Sequence, residues 1–377
     1  MDFGLTQEQQ DLKSLIEKMF GDLVTPERLP SFEEPQDWFD EALWKELARA
    51  GLLGLALPAD VGGSGLGLIE LGILLEQSGR FLAPVPLHPT LVLGALAIDA
   101  FGSPSLREQV LPRVVSGDAV LTAALVGEAA PDPLVPTVRA TRDGGAWKLE
   151  GTRAFVPAAS RAEYVLVPAQ TGDGELGVFA VRGDAAGLSL EAQATTTGEL
   201  EYRITLDGVA VPEEHVLGDC NQGRAIVAWI VERATAGLCA IELGVAEEAL
   251  KRTAAYVSER KQFGKVLATF QAVAQRAADA FIDVEAVRLA TWQAIWRLAS
   301  GLPAAREVAI AKFWAAEGGH RACYAAQHLH GGIGVDTDYP LHRYYLQSRR
   351  IELTLGSARE QLAALGAALA GTAAERA

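Results

Sequence analysis

Apolar positions recur at helical spacing through the first 118 residues. Leu12, Leu15, Ile16 and Phe20 follow an i, i+3, i+4 rhythm behind Thr6 and Gln9, a capping-box pair, so a helix is predicted there. Further helices are predicted over 37–50, 66–80, 89–100 and 105–115, punctuated by Gly51, Gly62-Gly63 and Gly102. Between 119 and 220 the period shortens to two. Tyr202–Asp207 alternates, Tyr164–Val167 and Val178–Val181 read as strands, and Asp143-Gly144-Gly145 and Asp207-Gly208 read as turns. From 221 onward helical texture returns, over 222–259, 266–300, 302–329 and 340–371. Within 278–300 the polar residues Asp279, Asp283, Gln293, Arg297 and Ser300 share one narrow face, against Phe281, Val284, Leu289, Trp292 and Trp296. Such a helix is predicted to be a bundle member buried on several sides. The pattern therefore predicts an α+β multidomain chain: a helical domain at 1–118, a β domain at 119–220 and a helical bundle at 221–377.

Composition narrows the classes. A chain of 377 residues, 49% hydrophobic and 21% charged, holds more than one core and is neither disordered nor fibrous. Cys220, Cys239 and Cys323 are far apart, which excludes a disulfide framework and a thiolate zinc site and fits a cytoplasmic setting. The start Met1-Asp2-Phe3-Gly4 has no basic leader and no run of about 18 apolar residues occurs, so neither export nor a membrane span is expected. The net charge of −15 disfavours nucleic acid, and an anionic ligand needs a local basic patch.

One such patch exists. Lys251, Arg252, Arg260, Lys261 and Lys265 fall within fifteen residues, roughly four times the chain's average density of basic residues. Arg260-Lys261-Gln262-Phe263-Gly264 lies at a corner between two helices, where a guanidinium fork and backbone amides suit a phosphate; the alternative is a solvated helix end. His328-Leu329-His330-Gly331-Gly332-Ile333-Gly334 is a glycine-rich turn that permits close backbone approach to a ligand, or a plain helix cap. A metal site using His328 and His330 with His320 or His342 has no carboxylate at ligand spacing, and none is expected. Gly172-x-Gly174-x-x-Gly177 matches a dinucleotide expression but joins two strands, so it reads as a hairpin loop. No nucleophile elbow or phosphate loop is present. A general base would have to be a helix carboxylate, with Glu232 and Glu242 the candidates, although a buried Glu is more often paired with an Arg such as Arg233 or Arg252.

With these residues in view, nearly the whole chain resembles the acyl-CoA dehydrogenase family. The resembling segments are Pro58-Ala-Asp-Val-Gly62-Gly63-Ser-Gly65, Asp207-Gly208-Val209-Ala210-Val211-Pro212, Arg260-Lys-Gln262-Phe263-Gly264 with Phe270-Gln271, and His330-Gly331-Gly332-Ile333-Gly334. The resemblance implies an N-terminal helical domain, a middle β-barrel domain and a C-terminal four-helix bundle. It implies FAD as cofactor and α,β-dehydrogenation of an acyl-coenzyme A thioester, a carboxylate taking the α-proton while the β-hydrogen leaves as hydride. It also implies that Arg260, Gln262, Phe263, Gln271, His328, Gly331 and Gly332 reach the adenosine diphosphate half of a neighbouring subunit's FAD.

The departures from the family pattern are as informative. The usual base precedes a Gly-Thr or Gly-Ser pair, and here Leu355 precedes Gly356-Ser357. An alternative base position, counted from Gly244, falls on Ala234, with Thr235 at its companion Arg position; Glu232 is about 200° away around the helix. The flavin-ring stretches correspond to Ala124–Pro131 and Arg153–Ala158, which lack the expected hydroxyls and indole. This combination is similar to the non-catalytic subunit of the heterotetrameric (α2β2) acyl-CoA dehydrogenases of actinobacterial sterol side-chain degradation, most closely over Phe313–Arg321 and Val335–Tyr344. The resemblance thus implies a chain that shares FAD with a homologous partner carrying the catalytic Glu and acts on a steroid-derived acyl-CoA. Two alternatives are a homo-oligomeric enzyme using Glu232 or Glu242, and a scaffold without enzymatic activity.

Overall fold

The computed structural model describes residues 4–25, 28–29, 38–128, 132–172 and 174–374. The predicted start Met1-Asp2-Phe3, position 37 of the second predicted helix, and Ala129-Ala-Pro131 lie outside the described residues. Along the chain, a helical part, a sheet and a second helical part follow one another, as the pattern predicts.

The first part holds α1 (Gln7–Leu23), α2 (Glu41–Arg49), α3 (Leu68–Phe81), a stretch of wide helical turns (His88–Ala95) leading into α4 (Leu96–Phe101), and α5 (Pro104–Val115). The Thr6–Gln9 capping box forms on both sides. The sheet comprises β1 (Val120–Ala123), β2 (Arg139–Asp143), β3 (Ala146–Pro157), β4 (Ala162–Gln170), β5 (Leu176–Arg182), β6 (Leu188–Gln193) and β7 (Glu201–Pro212). Its order is β1-β4-β2-β3-β7-β6, with β5 against β4. The Gly172–Gly177 loop joins β4 to β5, closed by the Thr171 N–H on the Glu175 carbonyl, so the hairpin reading stands. Asp207-Gly208, expected as a turn, instead lies inside β7. There the register shifts opposite Leu149/Glu150 and Gly208 takes φ +66°, so the glycine serves a bulge rather than a chain reversal.

The last part holds α6 (Gly223–Glu259), a two-stranded ribbon β8 (Lys261–Gln262) and β9 (Lys265–Val266), α7 (Gln271–Ala299), α8 (Ala305–His330), α9 (Leu341–Leu353) and α10 (Ala358–Ala374). One helix was expected over 340–371, and two are found. Leu355 (φ +55°) and Gly356 (φ +99°) are both left-handed, which ends α9 and turns the chain before α10. In α7 the buried row is Ala280, Val284, Val287, Ala290, Ala294, Ile295 and Leu298. The helix departs from its expected faces in both directions. Asp283 is buried because the Arg321 guanidinium of α8 holds it, while Phe281, Leu289 and Trp296 are exposed.

Packing draws the elements into two units. One comprises Met1–Glu27, Leu68–Ala83 and Thr235–Ala377, the other Arg28–Gly67 and Pro84–Ala234. In the first, α3 crosses α6 at glycines. A Cβ on Gly244 would stand 1.9 Å from the Glu76 carbonyl oxygen, and one on Gly79 would stand 2.1 Å from that of Ile241, so only glycine allows this backbone approach. In the second, the sheet's core is Val138, Trp147, Leu149, Val165, Phe179, Ile204 and their neighbours.

Candidate functional site

Where α6 runs out, the Arg260 N–H still bonds the Tyr256 carbonyl (2.9 Å), and the Arg260 carbonyl accepts from Leu267 N–H (2.8 Å), pinning both ends of the corner. Between them β8 and β9 form a hairpin whose turn residues, Phe263 (φ +52°) and Gly264 (φ +77°), are both left-handed, the backbone of a type I′ turn. A phenylalanine is strained there. Its ring is 89% exposed and meets Phe270 edge-on at 6.3 Å, so the strain displays an aromatic face rather than filling a core. Arg260, Lys261, Gln262, Lys265 and Gln271, the first residue of α7, are all exposed. The basic patch is smaller than its sequence density suggests: Arg252 Nε lies 3.0 Å and Lys251 Nζ 3.8 Å from Glu248, leaving Arg260, Lys261 and Lys265 at the tip.

The glycine turn closes α8. Gly331 takes φ +67°, and a Cβ added to Gly331 or Gly332 would meet nothing within 4 Å, so packing does not demand these two glycines. Gly334 differs, since its Cβ would stand 2.9 Å from the Gln327 carbonyl oxygen. His328 is exposed. His330 is buried, its Nδ1 2.8 Å from the Ala326 carbonyl and its Nε2 3.2 Å from the Tyr339 hydroxyl. Burial pushes this imidazole below its usual value. It is therefore neutral, donating from Nδ1 and accepting at Nε2.

The two segments are tied together by a residue that sequence reasoning missed. The ring of Tyr256, one turn before Arg260, stacks on His330 with centroids 4.3 Å apart and planes 17° from parallel. The corner and the glycine turn therefore lie at one end of the bundle, and the contact spans 74 residues of sequence.

The candidate bases lie elsewhere. Glu232 is half-buried, burial raises its carboxyl, and the adjacent Arg233 partly offsets that. Arg233 itself lies 3.6 Å over the Trp229 ring. Glu242 is wholly buried in the bundle. Its Oε1 accepts from Ser348 Oγ (2.7 Å), and a Cβ on Gly319 would stand 2.1 Å from that oxygen. Burial pushes Glu242 up to about 8, against the pull of Ser348 and of the Lys312 charge. Lys312, also buried, donates to the carbonyls of Ile351 and Glu352 at the end of α9. The chain next reaches the left-handed Leu355, whose half-buried side chain has no ionisable group.

In the sheet, the stretch from Arg153 to Ala158 ends β3 at an irregular register, with Phe155 (φ +54°) and Ala158 (φ +53°) both left-handed. Phe155 is exposed and its N–H bonds the Gln193 side chain (2.7 Å), while Ala158 N–H bonds the Leu200 carbonyl (2.7 Å). The side chains after Arg153 offer no hydrogen-bond donor. Glu128 is ion-paired with Arg203. Among the described residues no group of three His, Cys, Asp or Glu is placed to hold a metal, and no helix is long and apolar enough to cross a membrane.

Comparison with known proteins agrees with this architecture. Residues 6–118 match the family described as "Acyl-CoA dehydrogenase, N-terminal domain" and residues 221–370 match "Acyl-CoA dehydrogenase, C-terminal domain". The chain is 40% identical to acyl-CoA dehydrogenase FadE27 of Mycobacterium tuberculosis, over 99% of its own length and all of that protein. Among solved structures it is similar to a variant of the Tcur3481–Tcur3483 steroid ACAD (45% identity, TM-score 0.91, 98% of this chain and 99% of that one). It is also similar to the ChsE4–ChsE5 complex from Mycobacterium tuberculosis (39% identity, TM-score 0.92, 98% and 99%).

Proposed function

The chain belongs to the acyl-CoA dehydrogenase family, and from that premise we propose that it is one subunit of a heteromeric, FAD-dependent dehydrogenase that introduces an α,β double bond into a steroid side-chain acyl-coenzyme A thioester in the cytoplasm. Its domains are 1–118, 119–220 and 221–377. The carrying observation is the end of the bundle where the Arg260 corner and the open glycine turn are held together by the Tyr256–His330 stack.

The donor set there fits the adenosine diphosphate half of FAD. Arg260 supplies a planar guanidinium fork for a phosphate, Gly331 and Gly332 supply backbone that a ligand can approach closely, and Gln262, Gln271 and His328 add polar contacts. Phe263 offers a ring face suited to an aromatic base. The Arg153–Ala158 stretch does not fit the flavin ring in the same way, since Phe155, Pro157 and Ala158 bring no side-chain donor. The chemistry that bound FAD would supply is acceptance of the thioester's β-hydrogen as hydride. This chain's own part is to bind and orient the cofactor's anionic half. Leu355 cannot take the α-proton, Glu242 is enclosed by Ser348 and Gly319, and burial with the adjacent Arg233 accounts for the state of Glu232, which supports a homologous partner carrying the catalytic Glu as the source of the base.

Exposed apolar side chains on α7 and α8, Phe281, Ile282, Leu289 and Tyr324, support a partner that covers them. The steroid substrate rests on the likeness to a steroid ACAD. The test is expression alone and with the homologous subunit. The chain alone is expected to be colourless and inactive, and the co-expressed complex yellow and active on a steroid side-chain acyl-CoA. Stoichiometric flavin and turnover in the chain alone would overturn the reading.

A further inference from the structure

Inside the β unit, Arg153 occupies a position that the strand pattern reserves for an apolar side chain. On β3 the core-facing row runs Trp147, Leu149, Gly151, Arg153, each paired across the ladder with a core residue of β7: Val211, Val209, Leu206 and Ile204. Cross-strand partners share a face, so the guanidinium projects to the core side. Arg153 is 1% exposed, and Nε, Nη1 and Nη2 are all buried without a hydrogen-bond partner. Burial is the sole influence on its ionisation and brings it down to about 10, so it stays charged at neutral pH with no carboxylate answering it.

A second buried polar group on this side of the sheet is also unanswered. Thr122 of β1 is fully buried, its ladder partner Val165 belongs to the same core, and its Oγ1 has no partner. β1 runs on toward Val126, whose carbonyl accepts the Ala154 N–H at 3.1 Å, which brings this segment alongside Arg153. An isolated buried charge is among the most costly arrangements a fold can hold, and a guanidinium with five donors is suited to an anion.

We propose that Arg153 is the cationic wall of a buried site for a small monovalent anion in the core of the β unit. The site uses neither the Arg260 corner nor the glycine turn, although Arg153 opens the stretch that corresponds to the flavin ring, and its test reads unfolding rather than flavin.

The test is thermal unfolding of the full chain, alone or in its complex, with chloride or formate exchanged for gluconate at constant ionic strength. The wild type is expected to gain about 2 °C for each tenfold rise in anion above saturation, because a ligand that binds only the folded state stabilises it logarithmically. Arg153→Met should show no dependence, and Arg153→Lys should retain it at higher anion concentration. If the methionine variant is the more stable protein and neither responds to anion, or if both respond equally, the proposal fails. Should the methionine variant not fold, bromide in wild-type crystals decides: an anomalous peak within hydrogen-bond distance of the Arg153 guanidinium supports the site, and its absence at saturating bromide overturns it.

Discussion

Two regions of this molecule carry left-handed, non-glycine backbone on aromatic residues, and they differ in what surrounds it. At the bundle corner, Phe263 is followed by Gly264 and flanked by Arg260, Lys261, Gln262 and Lys265. At the end of β3, Phe155 is followed by Val156, Pro157 and Ala158, and Arg153, two residues before it, faces inward. Strain of this kind costs on the order of 1–3 kcal/mol and is kept where surrounding structure over-determines it. The corner uses it to present an aromatic ring among polar donors. The strand presents a ring followed by side chains that bring no donor, with only the Gln193 amide at its backbone. Only the first sets exposed cations beside its ring.

The sharpest way to break that comparison is to remove the corner's guanidinium. A charge-assisted hydrogen bond contributes about 1.5–3 kcal/mol, so Arg260→Ala should weaken flavin retention in the co-expressed complex by roughly 10- to 150-fold. Dialysis against buffer followed by absorbance of the retained flavin checks it. Full retention would mean that the corner is a solvated helix end and that the two regions do not differ in function.

The comparison also assumes that Glu242 belongs to the bundle's scaffold rather than to its chemistry, and pH separates these. An ordinary glutamate ionises near 4.5, whereas burial holds Glu242 protonated to about 8. Between those values the folded chain carries a proton that the unfolded chain has released, so stability should fall as pH rises from about 5 to about 8 and level off above. Lys312, which burial lowers from its ordinary 10.5, acts with the opposite sign. Glu242→Gln should flatten the decline without changing turnover of the complex. Urea midpoints across that pH range measure it, and an unchanged slope in the variant would remove Glu242 from the account.

A smaller effect is expected at the stack that joins the corner to the glycine turn. An aromatic pair adds about 0.5–1.5 kcal/mol beyond its buried area, so Tyr256→Leu should loosen flavin retention by roughly 2- to 13-fold, less than Arg260→Ala. A loss equal to that of Arg260→Ala would place Tyr256 against the ligand rather than behind it.

Much of this is legible in the amino-acid sequence itself. The order of helices, sheet and helices follows from a period that changes near 119 and again near 221, and the corner between two helices from a glycine and a local excess of cations, whereas the hairpin that fills the corner has no such signal. What escaped depends on residues distant in sequence. Asp283 looked like a solvent-facing position because its partner Arg321 lies 38 residues on. The Tyr256–His330 stack joins the ends of two helices, and Tyr256 by itself has no signal beyond being aromatic. The break between α9 and α10 turns on Leu355 adopting a conformation that its side chain disfavours. Asp207-Gly208 shows a local signal misassigned: the pair does supply positive φ, but a bulge needs it as much as a hairpin does. The inward Arg153 was read only as the edge of a missing motif, since a charged residue in a strand says nothing of which face it takes.

The smallest expected effect concerns Glu232, and it weighs the heteromeric reading against a homomeric one. Its carboxyl is half-buried and raised, as a base would be, but its neighbour Arg233 is committed to the Trp229 ring. Burial accounts for the shift without invoking catalysis, since partial desolvation alone disfavours the charged form. On the proposed heteromeric reading, Glu232→Gln should alter turnover of the complex by less than about twofold, whereas loss of a general base costs on the order of 100-fold or more. Steady-state rates with a steroid side-chain acyl-CoA, for the variant beside the wild type, give the answer. A loss of that larger size would make this chain its own catalyst, and the contrast between its two strained aromatic regions would then need another cause.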